Sequence, residues 1–327
     1  MRRYLGCVLV LCQLGSVQAG TLATADLGAG IYKAEPLKPL LLIHNLDRDK
    51  VALGEKLFND TRLSTDNSVS CASCHNLKTA GVDRLPHSPG VNKVMGDVNS
   101  PTVYNSAYNI AQFWDGRANS LEAQAAGPVH NPKEMASNWA EVLAKLNRDE
   151  AFVAAFEAVY PDGLSGPNIQ DAIATFERTL ITVDAPFDRY LRGEEGAISD
   201  KAKQGYSLFK SYGCAACHQG MNVGGNMYQK LGAMGDYFSD RGDVTTADMG
   251  RFNVSGVELD RHVFKVPSLR LVALTPPYFH DGSVPTLQEA IEKMAKYQLG
   301  RDIPPQDLER IIAFLHTLVG QHPRLEQ

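Results

Sequence analysis

The sequence predicts a mainly α-helical protein made of two tandem, homologous domains. Three observations carry this. A Cys-x-x-Cys-His segment occurs twice, at 71–75 and 214–218. Both copies sit in the same order of flanking motifs, the mark of an internal repeat. Between those motifs apolar residues recur at helical spacing, while strict alternation is scarce. The chain has 327 residues, 44% hydrophobic and 21% charged, with net charge −5. That composition excludes a disordered, collagen-like or coiled-coil chain, and about 150 residues per domain gives two domains. No basic stripe exists, so no nucleic-acid partner is expected.

The elements follow in order. Met1-Arg2-Arg3, a short apolar run at 5–14 and Val17-Gln18-Ala19 read as a secretory signal peptide, 1–19, cut after Ala19. The run is too short to span a bilayer, and no other apolar run is long enough. Leu11 before Cys12 is too large for lipoprotein processing. Losing Arg2 and Arg3 takes the charge from −5 to −7. The expected product is soluble and periplasmic.

The first domain is placed at 20–190. Gly54-Glu55-Lys56-Leu57-Phe58 reads as a helix leading into the first Cys-x-x-Cys-His. Residues 139–159 form a helical stretch (Val142, Leu143, Leu146, Phe152, Phe156, Val159). Residues 168–180 form another, with Asn168 as its N-cap. The boundary falls in 184–200, which holds Pro186, Gly193 and Gly196. The second domain is placed at 191–327. Gly205-Tyr206-Ser207-Leu208-Phe209 leads into the second motif, and 308–318 is a terminal amphipathic helix. Ser100-Pro101-Thr102-Val103 answers Val266-Pro267-Ser268-Leu269. Phe113-Trp114-Asp115-Gly116 answers Phe279-His280-Asp281-Gly282. Ser120-Leu121-Glu122-Ala123 answers Thr286-Leu287-Gln288-Glu289.

Cysteine use points to chemistry. Cys7 and Cys12 leave with the leader; the other four are Cys71, Cys74, Cys214 and Cys217. Two local disulfides, or one zinc site built from both halves, are competing readings. Each pair is followed at once by a histidine, His75 or His218, the signature of c-type haem attachment. The thiols bond to the porphyrin vinyl groups and the imidazole is the proximal iron ligand. Two copies in an exported chain with no cysteine left over favour two covalent haems, one wrapped by each domain. The repeat also separates the two sites. Met294 lies seven residues after Leu287, and Pro128 seven after Leu121. A thioether is a good sixth ligand for an electron-transfer haem; proline has no donor atom. On this mapping His218 and Met294 close the second haem and the first is open to a substrate, although a helical methionine also serves as core and Met221, Met227 and Met234 lie near the second motif.

From 47 to 318 the chain resembles the bacterial dihaem cytochrome c peroxidases. The resemblance rests on Ser100-Pro101-Thr102-Val103-Tyr104-Asn105, Gln112-Phe113-Trp114-Asp115-Gly116-Arg117, Gln124-Ala125-Ala126-Gly127-Pro128 and Asn131-Pro132-Lys133-Glu134-Met135. Ala174-Thr175-Phe176-Glu177-Arg178, Phe264-Lys265-Val266-Pro267-Ser268-Leu269-Arg270 and Pro277-Tyr278-Phe279-His280-Asp281-Gly282 add to it. It implies H₂O₂ as substrate, reduced at the first haem, with Glu134 as distal acid–base and Gln124 as its hydrogen-bonding partner. Splitting H₂O₂ requires a proton moved between its oxygens, which one carboxylate can do. It implies Trp114 as the indole between the haems and Met294 as the second haem's axial ligand. A Ca²⁺ is implied on the Asn99 side chain and the carbonyls of Thr275 and Pro277, with oxygen ligands that suit it. A small cytochrome c or blue-copper protein is the implied electron donor, and a homodimer the implied assembly.

One position departs from that pattern. Many such proteins carry a removable ligand histidine sixteen residues after the first haem-ligating histidine. Here the residue is Val91, with His87 and Met95 four residues to either side. The expectation is a first haem already open when fully oxidised. Two other readings differ in class: a dihaem electron carrier without peroxidase activity, and a dihaem enzyme that oxidises a protein side chain. The latter uses an axial tyrosine, and Tyr297 lies near Met294.

Overall fold

Each half is built on one crossing of two helices, and glycine makes both crossings possible. A computed structural model describes residues 35–326; the leader, its cleavage site, Cys7 and Cys12 lie outside them. Helix α1 (Arg48–Phe58) is capped by the Asp47 side chain, which accepts from the amides of Asp49 and Lys50. It crosses α6 (Gly166–Glu177). A Cβ at Gly54 would lie 1.9 Å from the Ala172 carbonyl oxygen. In the second half α8 (Asp200–Ser211) crosses α12 (Pro305–His316). There a Cβ at Gly205 would lie 1.9 Å from the Arg310 carbonyl oxygen. Beside each crossing two phenylalanines meet: Phe58 on Phe176 at 5.3 Å, and Phe209 on Phe314 at 5.2 Å. The repeat read from sequence is therefore a repeat of packing.

The other elements hang on these crossings. A four-residue turn of helix, α2 (Cys71–Cys74), carries the first cysteine pair. Helices α3 (Leu121–His130), α4 (Trp139–Leu146) and α5 (Glu150–Glu157) complete the first half. Helix α7 (Pro186–Leu191) precedes α8. A two-stranded antiparallel ribbon pairs β1 (Tyr228–Lys230) with β2 (Val263–Lys265), Tyr228 opposite Lys265. Short helices α9 (Tyr237–Arg241) and α10 (Phe252–Ser255) lie between those strands. Helix α11 (Leu287–Leu299) precedes α12. The mainly helical class stands, and among the described residues no helix is long and apolar enough to cross a membrane.

Two expectations change. The stretch 139–159 is two helices: it breaks after Leu146, and Asp149 caps the second by accepting from the Phe152 amide. Ser165, not Asn168, caps α6. Ser165 Oγ accepts from the Asn168 amide, and Gly166-Pro167 opens the helix. The Asn168 side chain instead donates to Asp162 and to the Gly163 carbonyl.

The core has four parts, one of them an aromatic cluster of Tyr237, Phe238, Phe264 and Tyr297 beside Trp114. One apolar cluster runs from Leu53 to Ile173 and includes Val91, Val129, Met135 and Phe156. A second gathers Leu37, Phe187, Tyr206, Phe209, Ile311 and Phe314. A third joins the two: Phe58, Tyr104 and Phe176 pack with Leu271 and Leu325. Beneath it Arg270 and Asp188 form a fully buried pair at 2.8 Å. Arg270 also donates to the carbonyls of Met221 and Lys38, which ties the N-terminal segment around Lys38 to the second half.

Two predictions follow from this packing. Gly54→Ala or Gly205→Ala forces the crossing helices apart; overpacking of this kind costs about 1–3 kcal/mol. Thermal denaturation should show each variant melting several degrees lower, while Gly196→Ala, with open space around it, should not. Glu177, buried at the end of α6, is pushed from 4.5 to about 8 by burial, against the pull of Arg178. The folded state therefore keeps a proton that the unfolded chain releases. Its contribution to stability is full below pH 4.5 and falls as pH rises towards 8. Glu177→Gln should flatten the difference in melting temperature between about pH 5 and pH 8.

Candidate haem sites

The two Cys-x-x-Cys-His segments are presented by similar local devices. At the first, Ser70 and Ser73 bond reciprocally at the start of α2, a capping box. The His75 amide then donates to the Cys71 carbonyl at 2.9 Å. At the second, Gly213 takes φ +97° and turns the chain into a 3-10 turn, Cys214–Ala216. The His218 amide donates to the Cys214 carbonyl at 3.0 Å. All four cysteines are free thiols. Burial pushes Cys74 and Cys214 up to about 11, and Cys71 higher. Among the described residues the only cluster of metal-binding side chains is Asp248, His280 and Asp281. The cysteines thus form neither disulfides nor a shared zinc site. The Asp248 cluster is already filled: Arg241 donates to Asp248 at 2.6 Å and to Asp281 at 2.5 Å.

Each imidazole is prepared as a neutral ligand. Burial lowers the pKa of His75, and brings His218 down to about 4. His75 Nδ1 lies 3.2 Å from the Gly81 carbonyl, and the Pro101 carbonyl also faces the ring. The carbonyls of Val223 and Pro267 face His218, outside good hydrogen-bond geometry, so its buried Nδ1 forms no bond. Pro101 and Pro267 are repeat partners. Carbonyls on the Nδ1 side leave Nε2 for a metal. Gly224 is required here: with φ +129°, a Cβ would lie 2.2 Å from the Pro267 oxygen and 3.3 Å from His218 Nδ1.

A large cavity opens beside His218. Cys214, Cys217, Phe209, Ile291, Leu315 and Met294 line it. Met294 and His218 thus share one apolar chamber. Tyr297 is engaged elsewhere, its hydroxyl donating to Asp240 at 2.9 Å. The same cavity reaches Trp114, Asn99, Thr275 and Pro277. Trp114 Nε1 donates to the Asn99 carbonyl at 2.9 Å, and the Asn99 amide donates to the His280 carbonyl at 2.8 Å. The Trp114 ring meets His280 edge-on at 6.4 Å. The Asn99 side-chain amide donates to the Leu85 carbonyl.

The first site differs. After α3 the chain turns back: the Met135 amide donates to the Pro128 carbonyl and that of Ala136 to Asn131. This return carries Glu134, whose Oε1 accepts from Asn131 Nδ2 at 2.6 Å. Burial raises its pKa against the pull of Asn131 and Arg117. Its charge is felt at both Cys71 and Cys74. Gln124 is half-buried on α3.

Loop 85–96 braces Glu134. The Val91 amide donates to the Glu134 carbonyl at 2.8 Å, and Val91 is 2% exposed. A Cβ at Gly90 would lie 2.1 Å from the Lys133 carbonyl oxygen. His87 Nδ1 lies 2.6 Å from the Gly96 carbonyl and Nε2 3.2 Å from that of Asp281, and a neutral ring donates to one of these two acceptors. Met95 is half exposed.

Sequence reading missed three buried groups: Lys265, Glu177 and the Asp248–His280 pair, which meets at 2.7 Å. Lys265 left a trace, a lysine inside the apolar run Val263-Phe264-Lys265-Val266.

Comparison with known proteins agrees with this geometry. The family model for di-haem cytochrome c peroxidases matches residues 48–196. The chain is 50% identical to a cytochrome c peroxidase of Escherichia coli K12 over 290 residues, 88% of this chain. It spans 62% of that relative's length. It is 44% identical to the cytochrome c551 peroxidase of Nitrosomonas europaea over 298 residues, covering 90% of this chain and 87% of that one. The crystal structure of a MauG-like protein associated with microbial copper homeostasis aligns with TM-score 0.76 at 27% identity, covering 89% of this chain and 96% of that one. With two haem-attachment segments in a repeated helical frame, and relatives of this identity over most of its length, the chain belongs to the di-haem cytochrome c peroxidase family.

Proposed function

We propose that this chain reduces H₂O₂ to two waters, consuming two electrons and two protons, with single electrons from a small cytochrome c or blue-copper protein. The observation that carries this is the asymmetry of two repeated sites. The second has Met294 lining the same chamber as His218. The first has Pro128 at the matching position and the half-buried carboxyl of Glu134, whose charge reaches both of its cysteines. When bound, the haems supply the one-electron chemistry, peroxide reduction at the His75 haem and electron entry at the His218/Met294 haem.

The protein's residues do the rest. Glu134 takes the proton from the peroxide oxygen nearer the haem and delivers it to the far oxygen, which leaves as water. Burial keeps this carboxyl's proton affinity high, and the Asn131 amide and the Val91-braced backbone fix its position. Gln124 holds the peroxide by a hydrogen bond. Trp114 carries electrons between the halves, fixed through Asn99 and against His280. The Asn99 side-chain oxygen and the carbonyls of Thr275 and Pro277 accept no hydrogen bond from the described residues, while lining one cavity. Free oxygen acceptors of this kind suit Ca²⁺. An ion there fastens Asn99, and so Trp114, to the second half. Export to the periplasm, a division at 190/191 and a homodimer belong to the same reading, supported by the family resemblance.

The first haem is open in the fully oxidised protein on this reading. Val91 supplies no ligand atom, and His87 faces the carbonyls of Gly96 and Asp281.

Three measurements test these assignments. Glu134→Gln should lower peroxidase turnover by roughly 10²–10⁴-fold with both haem spectra intact. Turnover of the native protein should fall as pH drops through the raised pKa of Glu134, since the protonated acid cannot accept a proton. That limb should be absent in the residual activity of Glu134→Gln. Electron paramagnetic resonance of the ferric, Ca²⁺-loaded protein should show one high-spin haem whose signal is lost on adding H₂O₂. Two low-spin signals, both unmoved by peroxide even after one-electron reduction, would instead identify a plain electron carrier.

A further inference from the structure

The cavity beside His218 is charged on one sign only. Its lining includes Lys265, Lys230 and Arg270, and no aspartate or glutamate. Arg270 is neutralised by Asp188 at 2.8 Å. Lys230 is exposed to solvent. Lys265 is different: it is 7% exposed and lies on β2, all of which is buried. Among the described residues no carboxylate forms an ion pair with its ammonium, and no acceptor takes a hydrogen bond from it. Burial pushes its pKa down to about 8, and no acidic group offsets that. A buried charge without a partner is costly, so a lysine held in this position implies an anion brought by whatever fills the cavity. The backbone sets where that anion sits. The Lys265 amide donates to the Trp114 carbonyl at 2.9 Å, and Tyr228 lies opposite Lys265 in the ribbon.

We propose that the Lys265 ammonium pairs with a propionate carboxylate of the second haem, next to Trp114, and thereby holds that haem's reduction potential up. This rests on the reading that the cavity takes the haem attached at Cys214 and Cys217. The physical reasoning is electrostatic. A carboxylate near the iron stabilises the ferric state, and a cation that cancels it favours the reduced state. Charge and burial near the macrocycle are among the protein's means of setting a haem potential. Lys265 is a positioning residue on this account: it touches the cofactor's rim, fixes which edge faces Trp114, and takes no part in peroxide chemistry.

The test uses the holoprotein and its Lys265→Met and Lys265→Arg variants. Haem content and the attachment spectrum are read first, which examines the underlying assignment separately. With two haems bound, the midpoint potential of the second haem should fall in Lys265→Met by the equivalent of a tenfold loss in affinity for the electron, about 59 mV for one electron. Lys265→Arg should restore it, while the first haem's potential stays unchanged. A two-haem Lys265→Met protein with an unshifted second potential overturns the proposal and leaves the haem assignment standing. A wild-type protein with no haem at Cys214 and Cys217 overturns the assignment itself. If Lys265→Met does not fold, redox-difference infrared spectra of the native protein with ¹³C-labelled propionates decide. A labelled ionised carboxylate band supports the pair. A protonated acid at both propionates overturns it.

Discussion

The contact on which the molecule depends is a backbone-to-backbone approach between two helices, made twice. At Gly54 and again at Gly205 there is no room for a Cβ, because the carbonyl of Ala172 or Arg310 occupies the place. The close approach brings the phenylalanine pairs together and decides where the chain leaves α1 and α8. From Gly54 to Cys71 is seventeen residues and from Gly205 to Cys214 nine, so the two halves reach their cysteines by different routes. The endpoint is nonetheless alike. Each His amide donates back to the first cysteine's carbonyl, and a proline carbonyl from the same repeat position faces each ring. A repeated frame holds two similar attachment turns, and it leaves the distal residues free to differ.

On the proposed reading, those differences divide the labour. Pro128 and Met294 occupy the same repeat position, as do Trp114 and His280. The latter two touch edge-on, so the interface between the halves is made from a residue and its own repeat partner. Their surroundings are unlike. Trp114 bonds to a neutral carbonyl and lines the cavity. His280 is bonded to Asp248, whose carboxyl is held far below its usual range. Burial opposes that shift, and the hydrogen bonds from His280 and Arg241 overcome it. A ring clamped by a saturated ion cluster is a rigid wall. An indole held by one hydrogen bond beside an apolar cavity is suited to passing charge.

The sequence made the repeat and the attachment chemistry plain because both are local: five residues carry the haem signature, and flanking motifs recur in order. It was less informative where a decision depended on competition between neighbours. Residues 139–159 keep a helical apolar pattern through the break, since Phe152 and Phe156 continue the stripe. Only the capping geometry of Asp149 reveals two helices. Asn168 and Ser165 are both good caps, and Gly166-Pro167 tips the choice to Ser165 because proline is favoured in a first helical turn. The glycines at the crossings carry no local signal, since their value lies in a partner more than a hundred residues away. Lys265 and the Asp248–His280 pair were hidden for the same reason. Burial of a charge is a property of the assembled cavity, and no local pattern records which lysine will be enclosed.

The loop that carries Val91 shows how one substitution can change what a segment is for. In the pattern this family resembles, a histidine at that point is a removable ligand, so its loop must be able to leave. Here the side chain is apolar and buried in the first core cluster. Its amide holds the carbonyl of Glu134, and Gly90 lets the loop lie directly on the backbone of Lys133 and Glu134. Moving the loop would expose Val91 to water and release the segment that positions Glu134. The two functions of such a loop, gating the iron and supporting the acid, therefore oppose each other. A buried valine favours support. On the proposed reading, the first site gains a fixed carboxyl and gives up a removable ligand through the same contact, so holding the loop down and holding the proton carrier in place become a single structural requirement.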